Sequence, residues 1–120
     1  MATAVPINLT VEKGADFLVD FNLREENGDF QDLSGFSLTG YFARSYSSSV
    51  RYSFAATIPD AATGLIRLEL DKSTTVVGTN QPSTTSLKAG RYVYNVFITS
   101  AGGDRDKVIE GVLTVNPGVL

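Results

Sequence analysis

The sequence predicts an all-β protein, an antiparallel β-sandwich of about seven strands. Short segments alternate apolar and polar residues, and clusters of Gly, Pro, Asn, Asp or Ser separate them. No long segment has the 3.6-residue apolar period of an amphipathic helix. Because alternation with period two indicates half-buried strands, and regular interruption by turn residues is typical of sandwiches and barrels, these observations favour two packed sheets.

The expected strands follow one another along the whole chain. They are "INLTV" (7–11), "DFLVDFNLRE" (16–25), "SLTGYFAR" (37–44), "YSFAATI" (52–58), "LIRLEL" (65–70), "RYVYNVFIT" (91–99) and "KVIEGVLTV" (107–115). In each, every second residue is expected to face the core. That rule gives a core that includes Phe17, Val19, Phe21, Leu68, Tyr94, Val96, Ile98 and Leu113.

The connections carry their own signals. Asn27-Gly28 predicts a tight turn, because both residues tolerate positive φ. Gly40, inside the third strand, indicates a bulge or a close backbone contact. No domain boundary is evident, so residues 1–120 are predicted to form one domain. Short arms are expected at residues 1–6 and 116–120.

Composition argues against several classes of function. The 120 residues carry a net charge of -3 and contain neither cysteine nor histidine, so the sequence offers no disulfide, no thiolate or imidazole metal ligand and no histidine base. The ten Lys and Arg residues are scattered along the chain, which argues against nucleic acid as a partner. No apolar run reaches membrane-spanning length, and no membrane partner is expected.

No catalytic, cofactor-binding or metal site is predicted. Most carboxylates fall in turns, where aspartate is favoured for local backbone bonding. Asp29 with Asp32, or Asp104 with Asp106, can offer two oxygens to calcium, but neither pair has a complete calcium-loop spacing. The chain is therefore expected not to be an enzyme and to need no cofactor.

The octet "LKAGRYVY" carries a first resemblance. A glycine turn precedes Tyr92 and Tyr94 at the start of a strand that follows a long loop. It resembles the corner at the start of strand F in immunoglobulin-like sandwiches, where a tyrosine hydroxyl bonds back to the loop backbone. The resemblance implies that Tyr92 is the corner tyrosine. Tyr94 then takes the place of the second cysteine of antibody domains, without the disulfide.

A second resemblance covers nearly the whole chain. The succession of strands and turns is similar to the immunoglobulin-like modules of tailed-phage virion proteins, including the baseplate upper protein domain. Its repeated elements are the Asn27-Gly28 turn, Asp32-Leu33-Ser34-Gly35, Ala89-Gly90-x-Tyr92 and the closing Pro117-Gly118-Val119. The resemblance implies a virion component of the tail, baseplate, neck, fibre or capsid decoration, made in the host cytoplasm.

Apolar residues on the expected outer face predict an interface. If Tyr92, Tyr94, Val96 and Ile98 face inward, the alternation places Val93 and Phe97 outward, and on the last strand Val108 and Val112. A sheet face that met only water would be more polar, so a subunit or terminal segment is expected to cover it. The uncharged arms are expected to add contacts through Val5, Val119 and Leu120.

Two functions compete at this point. The first is a non-enzymatic virion structural or accessory protein that binds copies of itself or other virion proteins. The alternative is a carbohydrate- or host-receptor-binding module, in which aromatic residues around the third hairpin stack on a sugar. Those aromatics are Tyr41, Phe42, Tyr46 and Tyr52, and about half of them are expected to belong to the core instead.

Overall fold

The chain forms two β-sheets packed face to face. A computed structural model describes residues 4–25, 27–73 and 80–118. The strands are β1 (Val5–Pro6), β2 (Leu9–Glu12), β3 (Phe17–Asn22), β4 (Ser37–Ala43), β5 (Tyr52–Ser53), β6 (Ala55–Asp60), β7 (Leu65–Leu70), β8 (Gly90–Thr99) and β9 (Arg105–Asn116). Among the residues described, no helix has the length and apolar character needed to cross a membrane.

The order of the strands is that of an immunoglobulin-like sandwich. The front sheet runs β1-β9-β8-β4-β5, with β2 also paired to β9, and the back sheet runs β3-β7-β6. In the immunoglobulin scheme β3, β7 and β6 take the places of strands B, E and D, while β4, β8 and β9 take those of C, F and G. The predicted fold class is confirmed.

The predicted strand at residues 52–58 belongs to both sheets. Its first part, β5, pairs with β4 on the front sheet, and its second part, β6, pairs with β7 on the back sheet. Phe54 lies between the two parts, and its amide donates to the Gly40 carbonyl at 2.9 Å. Because the backbone crosses between the sheets there, the Phe54 ring enters the core and is only 4% exposed.

The N-terminal strands correct two predictions. β1 and β2 pair in parallel with β9, placing Val5 opposite Ile109 and Leu9 opposite Leu113, so the front sheet is not antiparallel throughout. The N-terminal arm was expected to leave the domain, whereas Val5–Pro6 belongs to the sheet. Proline is tolerated there because an edge strand does not need its N–H. Val119 and Leu120 lie outside the described residues.

Aromatic side chains fill the core where antibody domains carry their disulfide. Phe42, Tyr92 and Tyr94 are each at most 2% exposed. The Phe42 ring lies 4.7 Å from Phe54 and 5.6 Å from Tyr92, and Phe54 lies 6.2 Å from Tyr94, measured between centroids. The predicted core is confirmed: Leu68, Tyr94, Val96, Ile98 and Leu113 are buried, and Phe17, Val19 and Phe21 pack against them half-buried.

Two glycines have the conformations or contacts predicted for them. Gly28 has a φ of 92° in the turn that closes with a hydrogen bond of 2.8 Å from the Glu25 amide to the Asp29 carbonyl. A Cβ on Gly40 would lie 3.1 Å from Phe54 and 3.2 Å from Leu68. Gly40 therefore marks a close contact between the sheets, one of the two roles expected for it.

Candidate functional site

The corner tyrosine fixes the start of β8. The Tyr92 hydroxyl donates to the Lys88 carbonyl at 2.8 Å, which is the backbone hydrogen bond predicted for it. Burial raises the pKa of Tyr92 above its ordinary value. The Arg44 guanidinium lies 4.3 Å from the ring centroid and donates to the Ala89 carbonyl at 3.1 Å. These contacts hold the loop that precedes β8, the strand on which Arg91 and Val93 lie.

We expect Tyr92→Phe to lower the free energy of unfolding by about 0.5–1.5 kcal/mol, because it removes one net hydrogen bond while keeping the ring. Chemical denaturation monitored by fluorescence or circular dichroism measures the loss. Tyr46→Phe is the matched control, since Tyr46 is 61% exposed and its hydroxyl makes no hydrogen bond among the described residues. Equal midpoints for Tyr92→Phe and the wild type would contradict the corner role.

Three of the predicted interface residues lie on the outer face of the front sheet. Val93 stands directly opposite Val112, and Phe97 stands opposite Lys107. All three apolar side chains are half-buried, while the alternate residues of β8 are in the core. The strand phase predicted for β8 is therefore confirmed, and Val93 with Val112 forms an apolar cross-strand pair.

Val108 is the exception, and its predicted outward position is wrong. The pairing register shifts between Val96, which faces Ile109, and Phe97, which faces Lys107. This β-bulge leaves Val108 as the extra residue on β9. As a result Val108 and Ile109 both point into the core, with 2% and 1% exposure.

Phe97 and Val5 are separate from the valine pair. The row formed by Asn95 and Glu110 lies between Phe97 and Val93 on the outer face. Beside Phe97, the Lys107 ammonium binds Glu110 at 2.8 Å and the Arg105 guanidinium lies 5.9 Å from the ring. Val5 borders another surface, an apolar groove between the two sheets at the edge formed by β1 and β3. The structure therefore does not gather the predicted residues into one patch.

Two exposed tyrosines adjoin the valine pair instead. Tyr41 is 39% exposed and Tyr46 is 61% exposed, whereas Phe42 and Tyr52 stack on each other at 5.2 Å and belong to the core region. The expected half of the hairpin aromatics is thus on the surface. A shallow depression of about 40 Å³ is lined by both exposed tyrosines with Arg51, Val93 and Asn95, among others. We call these five residues together with Val112 the outer patch.

The fold also gathers cations that are scattered in the sequence. Arg44, Arg51 and Arg91 lie near one another, at the end of β4, just before β5 and at the start of β8. Among the described residues the ion pairs are Arg67 with Asp20 and Lys107 with Glu110, so none of these three arginines is ion-paired. We call them, with Lys88 from the adjoining loop, the arginine end.

Sequence reasoning missed Arg51, Arg91 and Asn95 as surface partners of the tyrosines. A signal was present: the sequence has no Asp or Glu between Asp32 and Asp60, and none between Asp71 and Asp104. Those two stretches supply β4, β5 and β8. The middle of the front sheet is therefore built from strands without a carboxylate.

Two of the four carboxylates considered for calcium, Asp29 and Asp32, have local roles. Asp32 accepts hydrogen bonds from the Ser34 hydroxyl at 2.7 Å and the Ser34 amide at 2.9 Å, and these lower the pKa of Asp32. Asp29 accepts from the Asn27 side chain at 3.2 Å. Across residues 4–25, 27–73 and 80–118, no three acidic side chains meet in an arrangement that could hold a metal ion.

Two solved structures resemble this fold at low sequence identity. An internalin-like protein of Listeria monocytogenes matches with a TM-score of 0.47 and 19% identity, over 94% of this chain. This chain spans only 28% of that protein's chain. Murine CRIg matches with a TM-score of 0.40 and 11% identity, over 95% of this chain and 94% of its own. No protein-family model and no curated protein matches the sequence.

Proposed function

We propose that this chain is a non-enzymatic structural or accessory protein of a tailed-bacteriophage virion, and that it assembles through protein–protein contacts on its front sheet. The outer patch carries the proposal. It combines two exposed tyrosines, an arginine that forms no ion pair in the part of the chain that the structure describes, and an apolar valine pair on one sheet face. Tyrosine and arginine are the residue types enriched in protein interfaces and in their energetic hot spots.

The virion context rests on the resemblance of the turn motifs. Three of the four motifs have a structural task in this chain: Gly28 and Gly35 adopt positive φ, and the Ala89-Gly90-x-Tyr92 element forms the corner hydrogen bond. Such motifs hold a small sandwich together without cysteine. The proposal includes tail, baseplate, neck, fibre and capsid-decoration positions, with other virion proteins and copies of the same chain as partners.

We expect Val93→Lys to reduce incorporation into purified phage particles while leaving the domain folded. The introduced side chain would replace an apolar residue that stands opposite Val112, and its ammonium would have to lose water beside Arg51 when a partner covers the patch. Quantitative mass spectrometry of particles from complemented infections measures incorporation, and circular dichroism checks folding. Leu18→Lys is the matched control, because Leu18 is 56% exposed on the back sheet and stands opposite Glu69. Equal incorporation of both variants, or absence of the wild-type chain from particles, would overturn the proposal.

Carbohydrate binding is the second candidate, and the two tyrosines favour it. Tyr41 and Tyr46 expose ring surface beside Arg51 and Asn95, whose side chains can hydrogen-bond sugar hydroxyls. A glycan array with the isolated domain tests this reading. Binding that is lost in Tyr46→Ala would favour the receptor-binding module, and an array without signal would reject it.

A further inference from the structure

We infer that the occupant of the outer patch is a second copy of this chain, bound head to tail through its acidic hairpin. We use that name for residues 24–25 and 27–32, the turn between β3 and β4. The inference rests on the proposed function, since it names the partner for the same surface. Complementary charge at the two ends of the molecule is the observation that carries it.

The arginine end provides the positive half of the contact. Arg44, Arg51, Lys88 and Arg91 come from stretches of chain that contain no carboxylate, in a protein of net charge -3. Arg51 lines the outer depression together with the exposed tyrosines and Val93, and Arg91 is exposed on the same face of β8 as Val93. Arg44 is held at the corner, since its guanidinium lies over the Tyr92 ring and donates to the Ala89 carbonyl. An anion on the outer face would therefore meet Arg51 and Arg91, neither of which is ion-paired among the described residues.

The acidic hairpin provides the negative half. Glu25, Asp29 and Asp32 are all exposed, and the nearby Glu26 adds a fourth carboxylate to this stretch of the sequence. The only cation of the hairpin, Arg24, is exposed but engaged within the hairpin, since its guanidinium lies 4.2 Å from the Phe30 ring centroid and donates to the Gly28 carbonyl at 2.9 Å. Phe30 is itself 44% exposed and offers an aromatic surface to the tyrosines of another copy.

The two halves cannot meet within one molecule. β4 runs from the side of the acidic hairpin to Arg44, and its seven residues span about 23 Å at the usual rise of a strand. A contact between opposite ends of identical chains is heterologous, and it generates a ring or a filament according to its rotation. Repetition of this kind suits a subunit of an assembled particle.

Self-association also agrees better with the overall charge than nucleic acid does. The sequence pI is about 4.8, and the acidic hairpin would repel phosphate at the far end of the molecule. Nucleic-acid-binding domains usually carry a basic stripe and a high pI. A partner that bears its own carboxylates and an aromatic ring matches the arginines and the tyrosines together.

Charge reversal tests the inference in the full-length protein. Sedimentation velocity should show concentration-dependent association of the wild type that weakens as salt rises from about 0.02 to about 0.5 M, because screening shortens the reach of charges. We expect Glu25→Lys with Asp29→Lys, and separately Arg51→Glu with Arg91→Glu, each to weaken association by more than about tenfold. Glu69→Lys on the back sheet is the control and should associate like the wild type.

A rescue experiment with the reversed variants separates a specific contact from a general charge effect. Mixing the two reversed variants, or combining all four substitutions in one chain, places opposite charges together again and should restore association. A monomeric wild type, or a mixture that stays monomeric, overturns the inference. Binding of double-stranded DNA at the arginine end under the same conditions would also overturn it. The proposed function would survive any of these results if Val93→Lys still loses incorporation into particles.

Discussion

Replacing Phe42 by alanine is expected to lower the free energy of unfolding by about 3–5 kcal/mol, a large share of the stability of a small domain. Phe42 is 1% exposed and lies next to the last residue of β4. Its ring contacts Tyr52, Phe54 and Tyr92, so it joins β5, the sheet crossing and the corner. Truncation leaves a cavity beside the Tyr92 ring, whose hydroxyl is bonded to the Lys88 carbonyl, and beside Phe54, whose amide is bonded to the Gly40 carbonyl, so the cavity collapses little.

Equilibrium denaturation measures this loss, with Phe30→Ala as the control for phenylalanine truncation. Phe30 is 44% exposed in the acidic hairpin, so its removal should cost less than about 1 kcal/mol. A loss below about 1.5 kcal/mol for Phe42→Ala would mean that the aromatic cluster is not the structural centre of the sandwich.

The fold class was predictable because its signals are local. Alternation in β3, β7 and β8 is unbroken, and each inward residue expected from it packs in or against the core. The Asn27-Gly28 turn and the Tyr92 corner depend on residues a few positions apart, and both have the expected hydrogen bonds. Short-range chemistry of this kind can be read without knowledge of which strands become neighbours.

The errors come from strand pairing, which alternation does not encode. In "KVIEGV" both Val108 and Ile109 are apolar, so either phase is compatible with the sequence, and only the bulge opposite Val96 and Phe97 places both inward. Likewise Val5–Pro6 has no local feature that selects a parallel contact with β9 over a free arm. In each case the outcome depends on a partner strand far along the chain.

The dependence on strand pairing also explains why the candidate site was only partly predicted from the sequence. Val93 and Val112 were identifiable as outward residues from the phase of their strands. Tyr41 and Tyr46 were among the four hairpin aromatics, but the sequence did not show which half of those four would be exposed. The proximity of these residues to Arg51 and Asn95 depends on the pairing register of β4 with β8, which the sequence alone does not give. Charge segregation was visible in the sequence, but only the topology shows that the carboxylate-free strands are neighbours and that the acidic hairpin lies at their opposite end.

Gly111→Ala is expected to be the second most damaging change, with a loss of about 3 kcal/mol. A Cβ on Gly111 would overlap the carbonyl oxygen of Ile7, where the chain passes from β1 to β2, and would lie 3.3 Å from the Asn8 side-chain oxygen. That Ile7 carbonyl accepts a hydrogen bond of 2.5 Å from the buried Tyr94 hydroxyl, and Asn8 accepts one of 3.2 Å from the Val112 amide. Moving this backbone to make room breaks both bonds, so overpacking and lost hydrogen bonding act together.

The titration of Tyr94 tests whether the Ile7 backbone has moved, because the Tyr94 hydroxyl is bonded to the Ile7 carbonyl. Burial raises the pKa of Tyr94 to about 12, so the stability that its neutral form contributes is complete below about pH 10 and is lost as the pH rises towards 12. We expect Gly111→Ala to lower the denaturation midpoint at neutral pH and to flatten this alkaline loss, because Tyr94 is already partly released. Gly102→Ala is the control, since a Cβ there meets only the Ser100 hydroxyl at 3.8 Å. If both variants match the wild type at neutral and alkaline pH, β1 and β2 are not locked to β9 through Ile7, and the N-terminal segment is free to detach as an arm after all.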